Sequence, residues 1–296
     1  MLRSVIYILV ALAFTACKDY AEPKREKKEL SEEFKKYWFS GKAEITSYKL
    51  EQARYGEVRE GTAVLVYVTE DFLPRIQVKA NHQDEKNIPV LKLNSTKKFI
   101  TGIYPYSIME SSFYPVHNNR HALKVSASVQ EWCGQVYMQL NNREQFEIIS
   151  HSYFEGEADK NFTAPQTNLE NEIWNIIRID PSSLPQGETE MIPSFEYLRL
   201  QHKPLKPYRV NLNLDTKDSL RIYTINYPDL DRKLKVYFSK DFPYTIEKWE
   251  ETVKSGFGDN TETITTRTEK MKSLKTAYWK KNRNKDIYLR KKLGLD

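Results

Sequence analysis

Short runs of alternating apolar and polar residues recur along most of the chain, and such runs bounded by turn residues predict β-strands. In the first half they fall at 44–50, 62–69, 75–80, 122–132, 135–140 and 146–154. In the second half they fall at 197–200, 208–214, 220–225, 234–238, 245–252 and 261–271. Leu212 and Leu214 alternate with Asn211 and Asn213, the pattern of an antiparallel sheet packed on one side and wet on the other. One helix interrupts the strands. Thr167 and Glu170 have capping-box spacing, Leu169, Ile173, Ile176 and Ile177 share a face, and Pro181 stops the run, so the pattern predicts a helix over 168–180. The stretch 181–187, with Pro181, Pro185 and Gly187, is the best linker in the chain.

That linker separates two stretches that match at a constant offset. Val66, Tyr67, Asp71, Phe72 and Ile76 reappear as Val236, Tyr237, Asp241, Phe242 and Ile246. Each stretch reads as a strand, a charged turn with an aromatic plug, and a returning strand. Either the two halves are a duplication, or strand–turn–strand units have reused the same few residue types. The fold expected is mainly β: an antiparallel curved sheet or half-barrel with one or two covering helices. The organisation expected is a signal peptide over 1–16, a lipidated charged tether over 17–40, a first β-rich half over 41–180, and a second half with a basic C-terminal segment over 188–296.

The first sixteen residues differ from everything after them. Arg3 is their only charge, and residues 5–14 are without charged or amide side chains. An apolar run of this length falls short of the ~20 residues that span a bilayer and matches the core of a secretory signal. It ends Phe14-Thr15-Ala16-Cys17, which resembles the lipobox of bacterial lipoproteins, with Phe14 standing where that family has leucine. The resemblance implies that Cys17 carries the lipid, palmitate among its acyl chains, and becomes the mature N-terminus. Several chains hold firmly where one holds marginally, since each buried CH₂ contributes ~0.8 kcal/mol. The charged residues that follow, Lys18 to Lys36, suit a tether or, from Lys27 onward, a solvated helical arm. With Cys17 acylated, Cys133 has no partner within the chain, so a disulfide framework is excluded.

Signal, strand pattern and length together resemble the β half-barrel class of periplasmic lipoprotein carriers and related envelope lipoproteins. Some of those carry the label of the septum-formation inhibitors called Maf, cytoplasmic nucleotide pyrophosphatases with an N-terminal phosphate motif. The corresponding region here is the signal peptide, so that label implies no mechanism. The resemblance bears on fold and leaves function to the residues.

Motifs for chemistry are few. The ten glycines are scattered singly, with no phosphate-cradling loop and no Gly-x-Ser-x-Gly elbow. His117 and His121 have HxxxH spacing, but the intervening residues read as a turn, so two surface histidines are expected there and no metal site. Cys133, in Glu131-Trp-Cys-Gly-Gln135, reads either as a nucleophile near Glu131, His121 or His151, or as a small buried hydrophobe at a strand bend. No cation or helix N-terminus adjoins it to lower its pKa, which favours the buried hydrophobe.

Charge is more informative. From Arg267 to Asp296 eleven basic residues stand against three acidic ones, a net of +8, while the whole chain carries +6. Lys270, Lys272, Lys275, Lys280, Lys281 and Arg283 are therefore candidates for binding an anionic surface. The bland alternative is a solvated strand and helix with Tyr278, Trp279, Ile287 and Leu289 turned inward. The function expected is that of a membrane-anchored envelope lipoprotein, on the periplasmic side or at the cell surface. Its role is expected to be non-enzymatic binding, of a lipid or other apolar ligand on the concave sheet face. The alternatives are a protein-interaction module of an envelope assembly and a hydrolase using Cys133 or a histidine cluster. No cofactor and no nucleic-acid partner are expected.

Overall fold

A computed structural model of the chain describes residues 28–117, 120–257 and 260–295. The chain enters through helix α1 (Glu32–Trp38) and strands β1 (Ala43–Arg54), β2 (Glu57–Leu73), the two-residue β3 (Val78–Lys79), β4 (Ile88–Thr101) and β5 (Tyr104–Pro115). Then come β6 (Lys124–Glu131), β7 (Gly134–Asn142), β8 (Phe146–Ser152), β9 (Lys160–Ala164), β10 (Asn168–Leu169) and helix α2 (Glu170–Ile179). The second half holds β11 (Gly187–Ile192), α3 (Phe195–Leu200), β12 (Tyr208–Lys217), β13 (Leu220–Tyr227) and β14 (Arg232–Ser239). It ends with β15 (Ile246–Phe257), β16 (Asn260–Thr276) and α4 (Tyr288–Lys292).

All the strands join one curved, unclosed sheet in the order β10-β11-β12-β13-β14-β15-β16-β1-β2-β4-β5-β6-β7-β8-β9, with β3 attached to the end of β2. Every pairing is antiparallel except the short contact of β10 with β11. The two sequence halves meet where β16 pairs with β1, Thr276 opposite Ala43. Period-2 patterning sets the inner face: Ala63, Leu65 and Tyr67 of β2 are buried, and Thr62, Val64 and Val66 between them are half-buried. Gly61 marks a close approach, since a Cβ there would lie 2.3 Å from the Lys98 carbonyl oxygen of β4.

Helices α2 and α3 fill the concave side. From α2, the Trp174 carbonyl accepts from Tyr67 Oη at 3.1 Å, and Asn175 Nδ2 donates to the Leu91 carbonyl at 2.7 Å. Beside it α3 packs on β5 and β6. Tyrosines supply much of this core, and several of them find a partner for the hydroxyl. Tyr48 donates to the Ile246 carbonyl and Tyr223 to the Pro185 carbonyl, at 2.8 and 2.6 Å. A buried ring with a satisfied hydroxyl gives large apolar area without an orphaned polar atom.

Several expectations are corrected. The tether does not reach 40: Leu30, Phe34 and Trp38 are buried in the main core, so apolar spacing within the charged run makes α1 part of the domain. The helix predicted over 168–180 forms, but Thr167 and Glu170 do not box its end. Glu172 Oε1 accepts from the Leu169 N–H at 3.1 Å, and Glu170 points inward to Arg232. The segment 197–200 is helical, because Ser194 Oγ accepts the Tyr197 N–H after Pro193 and starts a turn of helix. The 181–187 linker packs down, with Leu184 buried.

The matching stretches are not equivalent. Tyr67 faces the core and Val66 is half-buried, whereas Val236 faces the core and Tyr237 is half-buried. The two strands therefore present opposite faces, as a one-residue slip would. Phe72 is buried within β2, while Phe242 is half-buried in the loop after β14, against Phe34, Tyr37 and Tyr244. The shared residues are reused strand and turn chemistry.

Candidate functional site

The concave face holds charge where apolar side chains were expected. A cavity of about 40 Å³ lies between α2, α3 and the strands, lined by Lys97, Glu110, Glu170, Glu196, Arg232 and Glu251 among others. That is room for one to three waters and none for an acyl chain. Lys97 Nζ donates to Glu196 Oε1 at 2.8 Å. Arg232 bridges two acids, donating from Nη2 to Glu170 at 2.7 Å and from Nε to Glu251 at 2.6 Å. Burial pulls the pKa of Lys97 down, but Glu196 outweighs it and holds the ammonium above its usual value. Glu110 accepts from Asn171 Nδ2 and from the Glu196 N–H, both at 2.9 Å. Burial, with the charge of Glu196 added, pushes its carboxyl up to about 7. A second buried pair sits nearer α1: Arg178 donates bidentately to Glu44 at 2.6 and 2.8 Å, between the rings of Trp38 and Tyr67.

Cys17 lies outside the described residues. The basic candidates divide into two sets. Lys270 pairs with Glu247 at 2.5 Å, and Lys275 donates to the Tyr37 carbonyl at 2.5 Å with its ammonium over the Tyr37 ring. Both are absorbed in the fold. Lys272, Lys280, Lys281 and Arg283 are exposed and have no ion pair among the described residues. Tyr278, Trp279 and Ile287 are exposed beside them. Their inward packing is overturned, because Leu293 closes the segment instead: it is buried, and its carbonyl accepts from Ser47 Oγ at 2.5 Å.

The histidine and cysteine candidates do not converge. His121 Nδ1 is 2.9 Å from Glu172 Oε1 and His117 Nδ1 is 3.2 Å from the Lys28 carbonyl. Burial opposes the His121 cation, but the hydrogen bond and charge of Glu172 prevail and raise its pKa. His151 faces Asp159 on the outer surface at 3.3 Å. Cys133 lies beyond the opposite end of β6 from His121. It is exposed, which corrects the expectation of a buried thiol. Gly134 takes φ +156 at the β6–β7 turn, where a Cβ would lie 2.8 Å from the Tyr153 ring. Cys133 precedes it in that turn, and the Cys133 N–H donates to Glu131 Oε2 at 2.7 Å. The hydrogen bond and charge of Glu131 raise the thiol pKa, so a thiolate is suppressed even at the surface. Glu131→Gln should therefore speed alkylation of native Cys133 several-fold at neutral pH, read by labelling and mass spectrometry. An unchanged rate would mean that access, not charge, limits the thiol.

The residues that sequence reasoning missed are the interior charges, since a lysine or glutamate in a strand reads as outward-facing. No known family model matches the chain, and no curated protein is similar enough to match. Among solved structures, a porin-like protein from Bacteroides uniformis is similar over 77% of this chain and 95% of its own length, at 10% identity and a TM-score of 0.23. At that score the likeness carries no argument about fold or role.

Proposed function

We propose that the chain is an exported lipoprotein of the bacterial envelope, acylated on Cys17, with a non-enzymatic binding role and a basic end that lies against an anionic membrane surface. The observation supporting this is that both termini of the domain come to the same rim of the sheet. At that rim the Lys28 N–H donates to the His117 carbonyl just past β5, at 2.7 Å, and Thr276 ends β16 opposite the first residue of β1. Lys275 ties the two segments together through the Tyr37 carbonyl of α1. Eleven residues after Cys17 span at most about 40 Å, so a lipid on Cys17 keeps this rim near the membrane. The free cations and exposed rings of the C-terminal segment then meet the headgroups, where each basic residue contributes ~1 kcal/mol and aromatic rings favour the interface. No helix among the described residues is long and apolar enough to cross a membrane. Filled by helices and charge, the concave face does not suit an apolar ligand.

Two measurements test the reading. Cys17→Ala should release the protein from membranes in detergent partitioning, and equal retention would remove the lipid anchor. In the released protein, Lys280→Glu/Lys281→Glu/Arg283→Glu should weaken binding to anionic vesicles by about 100-fold or more, from ~1 kcal/mol per charge lost. Binding to neutral vesicles should not change. Equal weakening on both would mean that charge plays no part.

A further inference from the structure

Among the described residues four arginines are buried, and they fall into two kinds. Arg178 and Arg232 each hold a carboxylate in a two-pronged grip. Arg54 and Arg199, 7% and 4% exposed, hold none. They adjoin each other at the rim opposite the termini, where Arg54 Nη1 donates to the carbonyl of Leu200 at 2.5 Å. Arg54 Nη2 donates to Tyr55 Oη at 3.0 Å and Tyr106 Oη at 3.3 Å. The Nε atoms of both arginines are buried without a partner. The acids that share the field of Arg199 are Glu157 and Glu131. Both are engaged: Glu157 takes His202 Nδ1 and Ser152 Oγ, each at 2.6 Å, and Glu131 takes the Cys133 N–H.

Arg199 Nη1 lies 3.4 Å from His202 Nε2, and aromatic faces cover both guanidiniums, with Arg54 4.1 Å from the Tyr55 ring centroid and Arg199 4.1 Å from that of Phe154. Such contacts offset only part of the cost of burying a charge. Two adjacent like charges are left under-compensated. Tyr55 and Gly56 form the two-residue turn between β1 and β2, which takes positive φ at both positions, and the Tyr55 hydroxyl lies between Arg54 and Tyr106, 2.9 Å from the latter. Two neighbouring buried guanidiniums without a carboxylate leave positive charge at this rim that an anion would balance.

The surroundings suggest what that is. From Tyr106 a run of rings leads outward, Tyr104 at 5.9 Å and Trp132 a further 6.1 Å on. Trp132 is 68% exposed, and Tyr153 and Ile103 on neighbouring turns are more so. We propose that Arg54 and Arg199 bind the oxyanion head, a carboxylate or phosphate monoester, of an amphiphile whose apolar part lies on Tyr104 and Trp132. The guanidinium donors left without a partner, the two Nε–H among them, are what such oxygens accept from, and the aromatic run takes the chain. This site is at the other end of the molecule from the basic C-terminal segment and does not rest on the anchor.

The test is calorimetric titration of the full-length protein in zwitterionic nanodiscs with n-octyl phosphate, octyl glucoside and inorganic phosphate, all below micellar concentrations. Variants are read against wild type in the same discs, so the result stands whether or not Cys17 carries lipid. Octyl phosphate should bind more tightly than either of the other two. Arg199→Gln should weaken it at least 10-fold without lowering the melting temperature of the unliganded protein, because the change strands no carboxylate: Glu157 keeps His202 and Ser152. Trp132→Ala, at an exposed position that folding does not need, should weaken octyl phosphate several-fold and leave inorganic phosphate unchanged. Octyl glucoside binding as tightly as octyl phosphate would overturn the oxyanion head. Inorganic phosphate binding as tightly would overturn the amphiphile, and affinities unchanged in both variants would overturn the site.

Discussion

Arg178→Met should destabilise the protein by about 3–5 kcal/mol, the usual cost of leaving a buried charge without its partner. Arg178 is almost wholly buried, with Nη1 and Nη2 on the two Glu44 oxygens and Nε on the Pro243 carbonyl at 2.8 Å. Methionine fills most of the volume, so the loss reads the stranded Glu44 carboxylate and not a cavity. Glu44→Gln/Arg178→Met should cost clearly less than the single change, since the amide still accepts from Tyr37 and carries no charge. Acid dependence provides a second sign. Burial raises the Glu44 pKa, but Arg178 outweighs it and holds the carboxyl below its ordinary value. A depressed carboxylate contributes stability above its unfolded pKa and loses it as pH falls through the folded one. Wild type should weaken on acidification below about pH 4.5, and Arg178→Met should not share that loss. Urea midpoints at constant m-value measure both. A single-variant loss under ~1 kcal/mol would show that the pair is solvated.

Glu44 and Arg178 also show where the sequence stops being legible. Strand alternation gave the mainly β class and the α2 helix because period 2 and period 3.6 are local signals. It missed β4 and β5. Pro89 and Pro105 sit at their starts, and Lys97, Ser95 and Ser112 occupy positions that face the helices, which breaks the apolar alternation. Lys97 faces inward only because α3 brings Glu196 to it, a contact 99 positions away. The same holds for Arg232 with Glu170 and for Arg178 with Glu44, whose partners are distant in sequence. No local pattern encodes such pairs. The sequence did concentrate the C-terminal charge, and four of those six cations are at the surface. That Lys270 and Lys275 are tied to Glu247 and Tyr37 depends on register. Cys133 was misread because Trp-Cys-Gly resembles a strand bend, whereas Gly134 makes it the tip of a turn with Trp132 exposed.

Glu110→Gln should stabilise the protein above neutral pH and leave it unchanged in mild acid. Glu110 and Glu196 share one cavity with Lys97, and their carboxyls titrate as a pair. Burial raises the pKa of both. For Glu110, the charge of Glu196 adds to it and takes the value to about 7, from 4.5 in the unfolded chain. A carboxyl with a raised pKa favours the native state in its protonated form. Its contribution is therefore intact below about 4.5 and is lost as pH rises through about 7. Glutamine keeps the oxygen that accepts from Asn171 and from the Glu196 N–H, and it has no proton to lose. Part of the Glu110 side chain reaches solvent, which lowers the expected gain to about 1–2 kcal/mol at pH 8. The difference between variant and wild type should grow between pH 5 and pH 8 and then level off. Denaturation midpoints across that range read it directly. A difference constant with pH would mean that Glu110 is ionised throughout, with Lys97 already compensating both acids.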